Sequence, residues 1–356
     1  MKKSIDGKAI VYAEGAFNTT YGKTAHGLVR FTERYEIVGV IDHRYAGQDA
    51  GTVLDNSRCN IPIFKDLSEA LENLGPDKKP ETFIIGLATD GGLLPEDSRK
   101  VVRQALLKGM NIDSGLHDYI YKDPELMAIA SKNKCRVRDI RKTKEREELH
   151  FFTGKIEEVD CLKIALLGTD SAVGKRTTAW IIVHAMRKAG YKAELVGTGQ
   201  TAWMQGAKYS MIMDSCINDF VAGEIEHAVY EAWKCESPDI IVIEGQGSLM
   251  NPAYPGGFEI LAAGRPDYVV LQHPPRRIEY DGFPGYPLHS LDKQIEAIEL
   301  LSGRDVIAIT INHEGMADSE IIAECKTIED KIGLPTFDVL RYSPERLVEL
   351  LSKMLK

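Results

Sequence analysis

The chain has 356 residues, 44% of them apolar, which suffices for two domains of ordinary size, each with its own core. Its 44 Lys and Arg against 53 Asp and Glu leave a net charge of −9, so no nucleic-acid partner is expected. The six cysteines (Cys59, Cys135, Cys161, Cys216, Cys235, Cys325) include no C-x-x-C pair, the first residues lack the apolar stretch of a signal peptide, and no apolar run approaches the ~18 residues of a membrane span; a zinc site, a disulfide framework and a membrane partner are not expected, and a cytoplasmic setting is.

In chain order, Ala9-Ile10-Val11-Tyr12-Ala13 predicts a first strand, residues 37–42 a second and residues 82–86 a third. Residues 98–108 predict a helix with Val101, Val102, Ala105 and Leu106 on one side, and residues 110–115 a short strand and turn. The layout is Rossmann-like, and Asp42 ends the second strand where such a fold places its ribose-binding acid. The first turn, Glu14 to Thr24, is not G-x-G-x-x-G, however, so the fingerprint for NAD is missing. Its Gly22-Lys23-Thr24 triplet reads equally as an anion loop or as a surface loop. The charged stretch Arg138 to His150 reads as a solvated helix or linker, dividing the chain into a domain over residues 1–145 and another over 146–356.

Beyond that stretch, strands are predicted at residues 164–167, 194–196, 240–244, 268–271, 306–311 and 336–338. Helices are predicted at 175–189, 219–235, 290–301, 319–331 and 344–354, the last with Ser343 as N-cap and Pro344 in its first turn. Strand and helix alternation in both halves predicts an α/β protein of two doubly wound parallel-sheet domains, Rossmann-like at the N-terminus and P-loop NTPase-like at the C-terminus.

The C-terminal half carries the chemistry. Gly168-Thr169-Asp170-Ser171-Ala172-Val173-Gly174-Lys175-Arg176-Thr177-Thr178 joins an apolar strand to an apolar-periodic helix, the context a phosphate loop needs. Gly168, Thr169, Asp170, Val173, Gly174, Lys175, Arg176, Thr177 and Thr178 are candidates for phosphate or nucleotide binding. The loop departs from G-x-x-x-x-G-K-[ST]: Arg176 stands where a hydroxyl would bind Mg²⁺, and Gly168 lies one position early. Phosphate cradling is thus expected with impaired metal ligation.

Further candidates cluster at predicted strand ends, where ligands of parallel sheets sit. Glu244 ends an apolar strand as a Walker-B-like acid, able to bind Mg²⁺ or act as a base, and Gly245-Gln246-Gly247-Ser248 follows it with glycines that let backbone approach a ligand. Gln200, in Gly197-Thr198-Gly199-Gln200-Thr201, and Gln246 and Ser248 are candidates for substrate binding. Asp214 is a candidate catalytic residue, for an amine or a metal contact; Asn218 or Asp219 is a helix N-cap. His273 is a candidate proton carrier, Arg276 a candidate bidentate grip on a substrate carboxylate, and Tyr280 a further candidate for substrate binding. Asn312 can offer its amide to an adenine edge, or serve as an ordinary turn residue.

The phosphate loop closely resembles that of dethiobiotin synthetases, G-T-D-x-x-V-G-K-T, with Arg176 at the position of their Mg²⁺-binding Thr. A fuller resemblance, over most of the chain, is to a prokaryotic two-domain family long described as a domain of unknown function. Its hallmarks resemble G-T-D-x-x-V-G-K-x-T-T, G-T-G-Q-T, D-F-V-A-G and E-G-Q-G-S-L, found here at Gly168 to Thr178, Gly197 to Thr201, Asp219 to Gly223 and Glu244 to Leu249. Some members are described as D-glutamate N-acetyltransferases using acetyl-CoA, others only as nucleotide-binding proteins. Asn251 is a departure, since the resemblance leads one to expect His there.

The resemblance implies acetyl transfer from acetyl-CoA to the amine of an acidic amino acid, D-glutamate. Lys175 and Thr177 would hold phosphate, Arg276 a carboxylate, and Glu244, Asp214 or His273 would take the ammonium proton, with N–H groups near Gly245 to Gly247 for the oxyanion. The alternatives are an ATP- and Mg²⁺-dependent ligase or kinase like dethiobiotin synthetase, and a non-catalytic nucleotide sensor. The expected partners are small molecules, a nucleotide-type ligand and an acidic amino acid, in a homo-oligomer.

Overall fold

The structure, a computed structural model, describes residues 5–355. It contains two compact units, one formed by residues up to Thr143 together with Gln200–Gly206, the other by Lys144–Gly199 and residues from Ala207 onward.

The first unit is built on a six-stranded sheet whose strands, among the described residues, all pair in parallel. Its strands are β1 (Lys8–Tyr12), β2 (Glu36–Ile41), β3 (Ile63–Phe64), β4 (Thr82–Ile85), β5 (Asn111–Ser114) and β6 (Val137–Asp139), in the order β3-β2-β1-β4-β5-β6. That order is the doubly wound one. Val11 pairs with Val40 on one side and Ile84 on the other, all fully buried, so the centre of the sheet is apolar on both faces. Helices α1 (Lys23–Arg30), α2 (Ala50–Asp55), α3 (Leu67–Asn73), α4 (Glu96–Leu107) and α5 (Pro124–Lys132) flank it. Local chemistry sets several starts: the Asp66 carboxylate accepts from the Glu69 N–H, and Asp123 accepts from Glu125 and Leu126 with Pro124 in the first turn.

Two expectations for this half are corrected. The charged stretch from Arg138 is not all linker, because Val137–Asp139 is an edge strand. Arg138 there chelates the fully buried Asp113, at 2.7 and 2.5 Å, and Tyr35 donates to the same carboxylate at 2.6 Å. Asp42 is not available to a ribose: its oxygens accept from the Phe17 N–H and from Arg44, and these contacts hold its pKa below the usual carboxylate range despite burial. The Gly-Lys-Thr triplet opens α1, and the Ala25 N–H of its first turn is taken by the Gly86 carbonyl.

The short helix Gln200–Gln205 also belongs to this unit. Two guanidinium groups lie against the Trp203 ring, Arg34 at 3.7 Å and Arg138 at 4.9 Å from its centroid, and the Trp203 carbonyl accepts from Arg34 at 2.8 Å.

The second unit carries a seven-stranded sheet in the order β13-β12-β11-β7-β10-β8-β9, its neighbouring strands parallel. The strands are β7 (Leu162–Gly168), β8 (Ala193–Gly197), β9 (Tyr209–Ser210), β10 (Ile240–Glu244), β11 (Tyr268–His273), β12 (Val306–Ile311) and β13 (Thr336–Phe337). Its helices are α6 (Lys175–Lys188), α8 (Asn218–Glu236), α9 (Phe258–Gly264), α10 (Leu291–Ser302), α11 (Asp318–Ile332) and α12 (Glu345–Ser352), with α7 the helix Gln200–Gln205 already placed. Pro344 is the N-cap of α12, one step later than expected. β7 is buried along its length, with Leu166 opposite Glu244 of β10 and Gly168 opposite Gln272 of β11. The loop leaving β7 therefore emerges at the sheet centre, between the ends of the two adjacent strands.

The segment after Lys144 crosses α8 at Gly223, where an added Cβ would lie 2.0 Å from the His150 carbonyl oxygen. Glu224 accepts from the His150 N–H and from Lys144, and Glu226 accepts from the N–H groups of Thr153 and Ile156. The D-F-V-A-G hallmark thus docks this crossing segment, with Phe220 against Phe151 at 4.3 Å. Among the described residues, no helix is long and apolar enough to cross a membrane.

Candidate functional site

The phosphate loop starts at Gly168, reaches positive φ at Ala172 (53°) and Gly174 (99°), and enters α6 at Lys175. Gly174 caps the helix without a side-chain cap hydrogen bond, and its left-handed backbone turns the chain into the first turn of α6. Gly168 has a packing reason: a Cβ there would meet Lys175 Cδ at 2.8 Å and Val173 Cγ2 at 3.0 Å. Lys175 folds back over it and donates to the carbonyls of Asp170 (2.6 Å) and Gly247 (2.7 Å).

Asp170 is the hub of the loop. It is fully buried and accepts from Ser171 N–H (2.6 Å), Asn251 Nδ2, Arg277 Nη1 and Asp281 N–H (each 2.8 Å). Its expected role in phosphate or nucleotide binding is corrected, because both oxygens are engaged in holding two other loops. Thr178 is corrected likewise: its buried hydroxyl donates to Gln272 Oε1 at 2.7 Å, as does that of Thr310 at 2.6 Å. Thr177 and Arg176 are half-buried at the start of α6, and Thr169 and Val173 are fully buried.

Glu244 closes β10 and accepts from the Thr198 N–H at 2.8 Å. Burial raises its pKa above the usual carboxylate range; the charge of Arg176, the Thr198 N–H, the charge of Lys175 and the Gly199 N–H pull the other way. A guanidinium thus acts on the Walker-B-like acid from the position where a metal-binding hydroxyl was sought. Gln246 Nε2 donates to Thr198 Oγ1 at 3.0 Å, and that hydroxyl donates to the Glu244 carbonyl. The glycines flanking Gln246 approach backbone rather than a ligand. A Cβ at Gly245 would lie 2.3 Å from the Leu166 carbonyl, and one at Gly247 2.0 Å from that of Tyr254. The crevice over Gly168, bounded by Gln246, Ser248 and Gln294, is too narrow to admit water, and the Ser248 hydroxyl is buried in it without a hydrogen-bond partner.

His273 ends β11 with Nδ1 at 2.9 Å from Thr169 Oγ1. Burial and the charge of Arg277 push its pKa down to about 4, so its ring is neutral at pH 7 and a poor proton acceptor. The expectation for Arg276 is corrected: it pairs with Glu320 at the surface at 3.0 Å, both groups half-exposed. Its neighbour Arg277 turns inward to Asp170 and the Ser171 carbonyl, with a fork onto Glu314. Asp214 is exposed on a one-turn helix that the Met213 N–H ties to the Thr198 carbonyl. Asn312 caps its own turn, accepting from the Glu314 N–H, while its amide nitrogen lies 4.0 Å from a Cβ built on Gly174. Gln200 is corrected too, since it opens the buried helix of the first unit and its Cγ lies 2.9 Å from a Cβ built on Gly115. Tyr280 is buried, and its hydroxyl meets His289 Nδ1 at 2.8 Å.

Several contributors carry no sequence signal of their own. Arg277 differs from Arg276 only by one step in an irregular loop. Gln272 lies inside a strand, and Gln294 inside a helix, where it donates to the carbonyls of Thr169 and His289 at 3.1 and 3.2 Å. Asn251, noted only as a departure, is a buried brace that holds Asp170 and accepts from the N–H groups of Ala253 and Tyr254.

A phosphate loop at the central strand of a parallel sheet, in one chain with a Rossmann-like sheet, defines a two-domain P-loop protein. The chain belongs to the DUF1611 family: residues 150–348 match its P-loop domain and residues 43–143 its Rossmann-like domain, each described as a domain of unknown function. It is similar to a D-glutamate N-acetyltransferase of Tritonibacter scottomollicae, 31% identical over 76% of this chain and 81% of the relative. A Pseudoalteromonas protein of the same name is 29% identical over 75% of this chain and 80% of its own length. The crystal structure of a DUF1611 family protein from Anabaena variabilis superposes with a TM-score of 0.89 at 28% identity, covering 97% of this chain and 99% of that one.

Proposed function

We propose that the protein transfers an acetyl group from acetyl-CoA to the amine of D-glutamate. The supporting observation is the donor set of the phosphate loop. The N-cap of α6 makes no side-chain hydrogen bond, Arg176 and a Lys175 whose ammonium rests here on the Asp170 and Gly247 carbonyls supply two cations, and Asp170 already accepts four hydrogen bonds. Such a loop suits a phosphate held by amides and cations, with no metal-binding hydroxyl beside the lysine. Coenzyme A needs its phosphates gripped and not cleaved. The relatives named D-glutamate N-acetyltransferase support the same reaction.

In this reaction the ammonium of D-glutamate loses a proton, and the free amine attacks the thioester carbonyl. The tetrahedral oxyanion then collapses, breaking the C–S bond and releasing coenzyme A as its thiol after protonation. Holding donor and acceptor together supplies much of the rate.

Thiol release from acetyl-CoA with D-glutamate in excess chelator tests the proposal. Undiminished turnover is expected. No transfer, accompanied by Mg²⁺-dependent ATP hydrolysis, overturns it in favour of the ligase chemistry. Arg176→Thr separates the two further: weaker acetyl-CoA binding without new ATPase activity is expected.

A further inference from the structure

Acetyl transfer needs a place for the amine and a group to take its proton, and the phosphate loop supplies neither. A cleft of about 390 Å³ opens between the loops that follow β10 and β11, lined among others by Met250, Tyr280, Tyr286, His289 and Lys293. Small-molecule sites span roughly 300–1,000 Å³. Two sets of hydrogen bonds tie the cleft to the phosphate loop. The Asp281 N–H, next to Tyr280, donates to Asp170, and the Gln294 amide bridges the carbonyls of Thr169 and His289.

The polar groups of the cleft are few and distinct. The Tyr280 hydroxyl lies 2.8 Å from His289 Nδ1; with Nδ1–H donating to the Tyr280 oxygen, Nε2 carries no proton and is the nitrogen left to accept one. Lys293 forms no ion pair among the described residues; Asp292 beside it feels its charge. Met250 and Tyr286 supply apolar walls.

We propose that this cleft receives the amino-acid acceptor, with His289 Nε2 taking the ammonium proton and Lys293 holding a carboxylate. The assignment rests on the acetyl-transfer proposal. The three acceptors nominated from sequence serve less well. His273 holds its proton too weakly, Glu244 is enclosed and bound by backbone donors, and Asp214 lies on an exposed turn tied to Thr198. In the step, the R–NH₃⁺ proton passes to His289 and the nitrogen lone pair forms the C–N bond. The C–S electrons leave on sulfur, which takes the second amine proton, and His289 returns its own proton to solvent. Atoms and charge balance as amine cation plus thioester to amide, thiol and H⁺.

Steady-state kinetics with D-glutamate and acetyl-CoA test the assignment. Lys293→Met is expected to raise the KM for D-glutamate roughly tenfold, the weight of one charge-assisted contact, and to leave that for acetyl-CoA unchanged. His289→Ala is expected to lower kcat about a hundredfold, as loss of a general base does, and to regain rate with added imidazole. Wild-type kcat in His289→Ala, no imidazole rescue, or an unchanged KM in Lys293→Met overturns the assignment while leaving acetyl transfer standing. If the wild-type protein transfers no acetyl group, the functional proposal has failed, and calorimetric titration of D-glutamate then decides the cleft. Weaker binding to Lys293→Met than to wild type supports it; equal or absent binding sinks it.

Discussion

Arg277 and Asp170 meet at 2.8 Å, the carboxylate fully buried and the guanidinium nearly so, and this pair joins the loop after β11 to the phosphate loop. Removing one partner leaves the other's charge in a poorly solvated place, which is costlier than losing the pair as a whole. Arg277→Met is therefore expected to destabilise the protein by roughly 3–5 kcal/mol, with partial recovery when Asp170→Asn is added. Urea unfolding of the single and double variants measures both; strictly additive losses would show that the two side chains do not depend on one another.

Asn251 offers a second probe of the same hub. Its amide donates to Asp170 and its carbonyl oxygen accepts two backbone N–H groups. Asn251→Asp keeps the shape but sets a carboxylate against a carboxylate 2.8 Å away. It is expected to cost more stability at pH 7 than Asn251→Ala, and the gap should narrow in acid as one of the two carboxylates takes a proton. Melting temperatures at pH 7 and pH 5 test the order.

His273 makes a pH prediction with a definite sign. Its pKa falls from 6.5 to about 4 on folding, through burial first and the charge of Arg277 second. Between those values the unfolded chain binds more protons than the folded one. The contribution is complete above pH 6.5 and is lost as pH falls towards 4. It is on the order of 3 kcal/mol. His273→Gln is expected to flatten the stability profile in that window, as read from unfolding free energies at half-unit pH steps. An unchanged slope would contradict it.

Gly223 has no room for a side chain, with the His150 carbonyl 2.0 Å from a built Cβ. Gly223→Ala is expected to cost roughly 1–3 kcal/mol by forcing the crossing segment off α8, despite alanine's better helix propensity. Faster limited proteolysis between residues 144 and 156 is the accompanying signature.

Much of the architecture was legible because its causes are local. β7, the glycine loop and α6 follow one another within a short stretch, and apolar runs bounded by turn residues marked the central strands of both sheets. The short edge strands β3 and β9 lack such runs, having two residues each, and β6 was hidden inside a charged stretch because Arg138 is matched by a buried partner 25 residues away. The site was less legible than the fold. Arg276 and Arg277 are chemically identical and adjacent, and only the path of the loop decides which one turns inward. Gln200 sits in a glycine-rich cluster that reads as a substrate loop, yet Gln200–Gln205 forms a helix packed with residues far earlier in the chain, such as Arg34, 169 positions before Trp203 and against its ring.

From the order of its residues alone, the chain determines two parallel α/β sheets, a phosphate loop at the head of a helix and the displacement of a metal-binding hydroxyl by Arg176. Those features depend on hydrophobic period, glycine conformation and residue type over a few consecutive positions. Which charges are spent internally, at Asp170, Arg277 and Asp42, and where a cleft with His289 and Lys293 opens, depended on the tertiary structure. Hydrogen bonds and ion pairs form between groups that meet in space, and a linear pattern does not record which distant partner reaches a donor first.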